Sequence, residues 1–212
     1  MQNYLNLRES KNYKKIKETA EIIKNGGVIV FPTETVYGLG VNALNEDAVK
    51  RLYEVKKRPQ DKAISILVSN IEMIEKVAKD ITGIEYGLIK EFFPGPLTII
   101  LNKKDIVPDI VTAGGTTVGV RMPAKDIALR LIEYAGVPIA APSANISGNP
   151  SGTELNTIMD EFQENVDCYI DGGKSEIGLA STIVQVIDGE PYILREGSIS
   201  KEQIEEVCKK YK

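Results

Sequence analysis

Histidine and tryptophan are both missing from this chain of 212 residues. Without an imidazole, Ser-His-Asp and Cys-His catalysis are excluded, and so is any metal site that needs a His ligand. The chemistry must run on lysine, arginine, carboxylates, hydroxyls and backbone dipoles, or on groups that substrates bring. Phosphoryl and nucleotidyl transfer tolerate that restriction, because positioning and charge neutralisation supply most of their catalysis. Cysteine is scarce: Cys168 and Cys208 lie far apart and outside any C-x-x-C pattern. A disulfide framework or thiolate metal site is therefore not expected, and both read as inert structural residues. No apolar run approaches the roughly 18–20 residues that span a bilayer. The opening stretch MQNYLNLRESKNYKK lacks the apolar segment of a signal peptide. A cytoplasmic location, away from membranes, is the expectation. A large charge of one sign is also lacking: the formal net charge is −4, so nucleic-acid affinity would need a local basic patch.

What is present is a soluble globular balance, with 42% apolar and 26% charged residues. That length buries one substantial core. Apolar residues at helical spacing alternate with short apolar runs throughout. Ile16, Ala20 and Ile23 mark a helix over 13–24, stopped by Asn25-Gly26-Gly27, and Val28–Phe31 reads as a buried strand. After a loop, Asn45 caps a helix carrying Ala48, Leu52 and Val55. Ala63–Val68 is strand-like, and Ser69 or Asn70 opens a helix towards Lys79. Another helix stops at Phe92-Phe93 before Pro94-Gly95-Pro96, with strands following at Leu97–Leu101 and Thr117–Arg121. Ile127, Leu131 and Ala135 mark a helix closed by Gly136. Strands follow at Val137–Ala141, Tyr169-Ile170, Ser181–Ile187 and Tyr192–Leu194, with a helix at 154–164 among them. Ser200 and Gln203 form a capping box on the last helix. The expectation is one three-layer α/β domain over 1–212, with its core at 13–198 and a terminal helix at 201–211.

Two phosphate-binding patterns almost occur. Gly172-Gly173-Lys174-Ser175 ends like a P-loop, but Cys168 stands where the first glycine belongs. Gly38-Leu39-Gly40-Val41-Asn42-Ala43 matches G-x-G-x-x-A, yet Pro32–Tyr37 separates it from the preceding strand. Both are read as decoys.

Other segments carry chemistry more directly. Pro32–Gly40 leaves a buried strand with a rigid proline and then concentrates the hydroxyls of Thr33 and Thr35 with the Glu34 carboxylate. Such groups suit an amino acid's ammonium and hydroxyl ends, and the glycines admit a close ligand; a hydroxyl-rich turn is the plain alternative. Lys56-Lys57-Arg58-Pro59-Gln60-Asp61-Lys62 packs four cations past a helix end. It is either a solvated helix terminus or a phosphate clamp. Pro142-Ser143-Ala144-Asn145-Ile146-Ser147-Gly148 follows an apolar strand and offers small polar side chains to a nucleotide, or simply forms a turn. Thr117 and Arg121 sit an even number apart on one strand and so share a face. Ser181-Thr182 opens a strand and Arg195 ends one.

Together these segments resemble the threonylcarbamoyl-AMP synthase family, the YrdC-like proteins. In order, the resemblance rests on GGVIVFPTETVYGLG, the pair Lys56 and Arg58, FFPGPLT, VGVRMP, APSAN, DGG, STI and LREG, between about residues 20 and 198. It implies a three-layer sandwich around a large twisted mixed sheet with a basic cleft. It also implies synthesis of threonylcarbamoyl-AMP and pyrophosphate from L-threonine, bicarbonate and ATP with Mg²⁺. A separate transferase complex would carry the threonylcarbamoyl group to the adenosine beside the anticodon of tRNA, and weak tRNA binding by this chain is compatible with that role.

Matched residue by residue, Thr33, Thr35, Arg121 and Ser181 resemble threonine contacts. Arg58, Ser143, Asn145, Ser151 and Arg195 resemble contacts to ATP, and Lys56 belongs to the same signature. Thr117 matches a ligand-facing position on the nucleotide side. Lys56 and Arg58 are the expected catalytic cations; protein ligands for a metal are not assigned. Many longer members of the family it resembles carry Asn and His where this chain, like some short bacterial-type members, has other residues, Lys62 and Leu67, so Lys62 is read instead as an addition to the phosphate clamp. The extra C-terminal domain of longer members is not expected. Two other readings remain at this stage: an RNA-binding or ribosome-maturation module, and a relative acting on another carbamoyl or nucleotide substrate.

Overall fold

The computed structural model describes residues 3–8 and 13–212; residues 1, 2 and 9–12 of the opening stretch lie outside the described residues. The first half of the chain runs β1 (Asn3–Asn6), α1 (Tyr13–Lys24), β2 (Ile29–Phe31), β3 (Gly38–Asn42), α2 (Glu46–Lys56), β4 (Ile66–Leu67), α3 (Ile71–Val77) and β5 (Ala78–Lys79). It continues through α4 (Gly83–Phe92), β6 (Leu97–Lys103), β7 (Thr117–Arg121), α5 (Asp126–Ala135) and β8 (Ile139–Ala140). The last part holds α6 (Leu155–Phe162), β9 (Cys168–Asp171), β10 (Thr182–Ile187), β11 (Glu190–Arg195) and α7 (Lys201–Lys210).

The helix limits follow from local chemistry. Asn45 accepts the Ala48 N–H at the start of α2, and Asn70 accepts the Met73 N–H at the start of α3. Thr82 with Glu85, and Ser200 with Gln203, close reciprocal capping boxes on α4 and α7. Gly136 ends α5 in the left-handed conformation at φ 66°, where a Cβ would be strained.

Among the described residues the eleven strands form one mixed sheet in the order β1-β9-β2-β3-β8-β4-β7-β6-β10-β11, with β5 paired to β6 off that path. Four neighbouring pairs are parallel (β1 with β9, β9 with β2, β4 with β7, β6 with β10) and the others are antiparallel. Successive side chains point to opposite faces of the sheet, and the two cores divide accordingly. Ile29, Phe31, Cys168 and Ile170 pack with α1 and α5 on one face. Val28, Val30, Leu39, Val41 and Tyr169 pack with α2, α4, α6 and α7 on the other. Helices on both faces of one sheet make the three-layer arrangement expected from the alternating pattern. Burial pushes the Cys168 thiol up to about 11 and also raises that of Cys208, and neither is in a disulfide.

Four local expectations are corrected. The stretch Gly38–Asn42, read as loop, is a buried strand paired to both β2 and β8. Its glycines serve packing rather than ligand approach: a Cβ at Gly40 would lie 2.6 Å from the Phe31 ring and 2.8 Å from Ile139 Cγ2. Strand β1 gave no signal, being four residues with only Leu5 buried among the described side chains of that strand. The runs at 63–68 and 137–141 contribute only two paired residues each. The helix read towards Lys79 stops at Val77, because Ala78 and Lys79 pair with β6 instead. Both decoys hold as decoys: Gly38 and Gly40 are in a strand, and no helix follows Gly172-Gly173-Lys174-Ser175 before α7.

Candidate active site

A cleft with an inner volume of about 200 Å³ opens where β7, β8 and β11 end and β6 and β10 begin. Its walls come from chain segments remote in sequence, among them Thr35 and Val36, Arg58, Thr98, Arg121, Ser143, and Ser181 with Arg195. Three guanidiniums face this space. Arg58 donates from Nε to the Lys62 carbonyl at 3.0 Å and from Nη2 to the Ala63 carbonyl at 2.7 Å. Arg195 folds back on Ser181, donating from Nε and Nη2 to its carbonyl (3.0 and 2.8 Å) and from Nη2 to its hydroxyl at 3.0 Å. Arg121, 7% exposed, donates from Nε to the Gly95 carbonyl at 3.2 Å and from Nη2 to Glu34 Oε1 at 2.7 Å.

These cations feel one another. Burial first, and then the charges of Arg121 and Arg58, lower the pKa of Arg195 from its ordinary value. Burial lowers those of Arg58 and Arg121 as well, while Glu34 opposes the shift at Arg121. Arginine stays charged under such shifts. The cleft is therefore a preformed receptor for anions, its repulsion relieved from within by Glu34.

Hydroxyls line the same space. Thr98 and Ser181 share a hydrogen bond at 2.8 Å, and both are buried. Ser143 donates its hydroxyl to Asn145 Oδ1 at 2.6 Å. Thr33 donates to the Val36 carbonyl at 2.6 Å, and its oxygen stands 2.9 Å from that of Thr35. The turn carrying Arg121's carbonyl partner needs its glycine: a Cβ on Gly95 would meet the Phe92 carbonyl oxygen at 2.3 Å.

The residues singled out from the sequence separate into three sets. Thr35, Arg58, Arg121, Ser143, Ser151, Ser181 and Arg195 all line the cleft. Thr33, Lys56 and Asn145 stand behind its wall. Lys56 is only 2% exposed and donates from Nζ to the Ser143 carbonyl (2.5 Å), the Asn145 carbonyl (2.7 Å) and Asn145 Oδ1 (3.3 Å). Burial, then the Arg58 charge, push this ammonium down to about 8. Its three N–H groups are thus occupied by the 143–145 loop, which corrects the expectation of a phosphate-gripping lysine. Asn145 is likewise saturated, donating to the Ile146 and Asn149 carbonyls at 2.9 Å each. Lys62 is exposed and does not line the cleft, although its carbonyl holds Arg58 and Tyr53. Thr117 is on the same sheet face as Arg121 but four residues along β7, roughly 13 Å away at strand spacing, and is not part of the wall.

The profile of the Sua5/YciO/YrdC family, described as telomere recombination, matches residues 21–197. The chain belongs to that family. The threonylcarbamoyl-AMP synthase of Pyrococcus abyssi is 47% identical to it over 96% of this chain and 60% of its own length. That of Bacillus subtilis is 44% identical over 93% of this chain and 58% of its own. The chain thus spans about three-fifths of the length of these curated relatives. The crystal structure of P. abyssi Sua5 complexed with L-threonine superposes with a TM-score of 0.94 at 47% identity, covering 96% of this chain and 60% of that one. The fold expected from the resemblance is therefore the observed one.

Within this Sua5/YciO/YrdC member, sequence reasoning passed over several wall residues. Thr98 had a signal in FFPGPLT, but its pairing with Ser181 across 83 residues has none. Ser65 lines the cleft with no signal of its own, whereas Ala141, Ile183 and Leu67, which also line it, were in view without being read as wall residues. Glu34 was visible only as one carboxylate among hydroxyls; its union with Arg121 is a tertiary fact.

Proposed function

We propose that this chain condenses L-threonine, bicarbonate and ATP into threonylcarbamoyl-AMP, releasing pyrophosphate. One observation carries the reading: three guanidiniums converge on a single cleft beside the hydroxyls of Thr35, Thr98, Ser143 and Ser181. That donor set fits a small zwitterion bearing a hydroxyl next to a polyphosphate, and the family relationship supplies the particular substrates.

The chemistry needs no nucleophile from the protein. The threonine amine adds to the carbon of bicarbonate-derived CO₂ and loses a proton, giving a carbamate. A carbamate oxygen then bonds to the α-phosphorus as the bond to pyrophosphate breaks. Arg58 and Arg195 would hold the phosphates and neutralise the charge that accumulates on the leaving group. Arg121 would hold the amino acid's carboxylate, with Thr35, Thr98 and Ser181 placed for its polar ends. Ser143 and Ser151 would contact the nucleotide, with Lys56 and Asn145 keeping the 143–145 loop in shape. Among the described residues no group of three carboxylates or thiols is placed to hold a metal, and Glu34 is turned to Arg121. Mg²⁺ enters the reading as part of the MgATP substrate, held chiefly by the phosphates. A tRNA-directed transferase complex would consume the adenylate, and a cytoplasmic setting is part of the same proposal; no helix among the described residues is long and apolar enough to cross a membrane.

The test is to incubate the protein with MgATP, bicarbonate and L-threonine and detect the adenylate by mass, omitting each component in turn. The expected product forms only in the complete mixture. Tight, steeply salt-dependent RNA binding without any adenylate would overturn the reading in favour of an RNA-binding module.

A further inference from the structure

Glu34 is the one acidic side chain shown in direct contact with the cleft's guanidiniums among the described residues, and its surroundings are unusual. It is 7% exposed, ion-paired to Arg121 at 2.7 Å, and its second carboxylate oxygen, Oε2, is buried without a hydrogen-bond partner. A buried ion pair contributes little net stability against an apolar replacement of the same shape, and an unmatched carboxylate oxygen makes it poorer still. Stability is therefore a weak reason for this carboxylate.

Its geometry offers a better one. Arg121 is the last residue of β7, buried at the cleft, where its charge acts on Arg195 together with that of Arg58. Two hydrogen bonds orient its guanidinium: Nε donates to the Gly95 carbonyl and Nη2 to Glu34. Together they hold the guanidinium plane and leave Nη1 without a partner among the described residues. Glu34 is itself fixed by its backbone, whose carbonyl accepts the Ile177 N–H at 2.9 Å, while the next carbonyl accepts that of Gly178.

We propose that Glu34 is a positioning residue: it holds Arg121 in the one orientation that presents Nη1 to the carboxylate of the amino-acid substrate, and so sets amino-acid affinity without touching that substrate. This rests on the functional reading given above. Because Glu34 acts through Arg121, it should govern the amino-acid half of the cleft and leave the nucleotide half, built on Arg58 and Ser143, nearly unaffected.

The experiment is calorimetric titration of L-threonine and, separately, of a non-hydrolysable ATP analogue into the wild-type chain, Glu34→Gln, Arg121→Lys and the double variant. Glu34→Gln should weaken L-threonine at least tenfold and the nucleotide less than threefold. The double variant should bind L-threonine no worse than Arg121→Lys alone, since residues acting as a unit are not additive. If Glu34→Gln does not fold, Glu34→Asp, which withdraws the carboxylate by one methylene, should give the same selective loss. L-Threonine binding within twofold of wild type, or losses that add in the double variant, would overturn the proposal while the functional reading stands. A wild-type chain that binds no L-threonine would remove both.

Discussion

Lys56 and Arg58 stand two positions apart at the end of α2, and they take different places: one behind the cleft wall, the other in it. Lys56 closes the helix with its ammonium under the 143–145 loop, held by three oxygens. Lys57 then takes the left-handed conformation at φ 52°, the chain reverses, and Arg58 is delivered to the cleft. One cation thus shapes a wall from behind while the other is part of it. A dense run of positive residues is not a uniform clamp; what each charge does depends on which side of the helix stop it falls.

That division can be broken from either side. The largest effect is expected at Arg58: Arg58→Ala should lower threonine-dependent pyrophosphate release about 10²–10³-fold, as loss of a preorganised charge donor does, with a change of only about 1 kcal/mol or less in urea unfolding. Lys56→Met should do the reverse. It leaves buried carbonyls unpaired and should destabilise the chain by about 3 kcal/mol, with residual activity at low temperature exceeding that of Arg58→Ala. A third test uses pH. The folded-state pKa of Lys56 lies near 8, below its ordinary 10.5, so above pH 8 the folded chain releases this proton while the unfolded chain retains it. The Lys56 contribution to stability should therefore rise with pH, by about 2 kcal/mol between pH 8 and 9.5. Comparison of urea midpoints for wild type and Lys56→Met isolates it, since the variant lacks that slope. The smallest effect is expected at Thr117, where Thr117→Ala should change the KM for ATP less than twofold; a tenfold rise would place Thr117 in the wall after all.

The Thr117 and Lys56 outcomes show where sequence reading stops. Even spacing correctly puts Thr117 and Arg121 on one face, but a strand residue four positions on is a cleft's width away. Helical and alternating patterns made α1, α2, α5, α7, β2 and β7 legible, because each buries one face with period 3.6 or 2. Strand β3 was not legible, since its Gly38 and Gly40 read as turn residues until the Phe31 ring packs over them. Motifs brought forward most wall residues, yet not which ones stand behind the wall. Saturation of Lys56 by the 143–145 loop, and the pairing of Glu34 with Arg121, join segments tens of residues apart and have no local pattern.

Alternate residues of β2 and of the position before it enter different hydrophobic compartments, Val28 and Val30 on one side and Ile29 and Phe31 on the other. An insertion or deletion of one residue there would exchange the contents of both compartments at once. Length variation in the early part of the chain is thereby confined to its connections. The exposed turn at Asp188-Gly189, remote from the cleft wall, is where an insertion can be accepted while the β2 framework keeps its count.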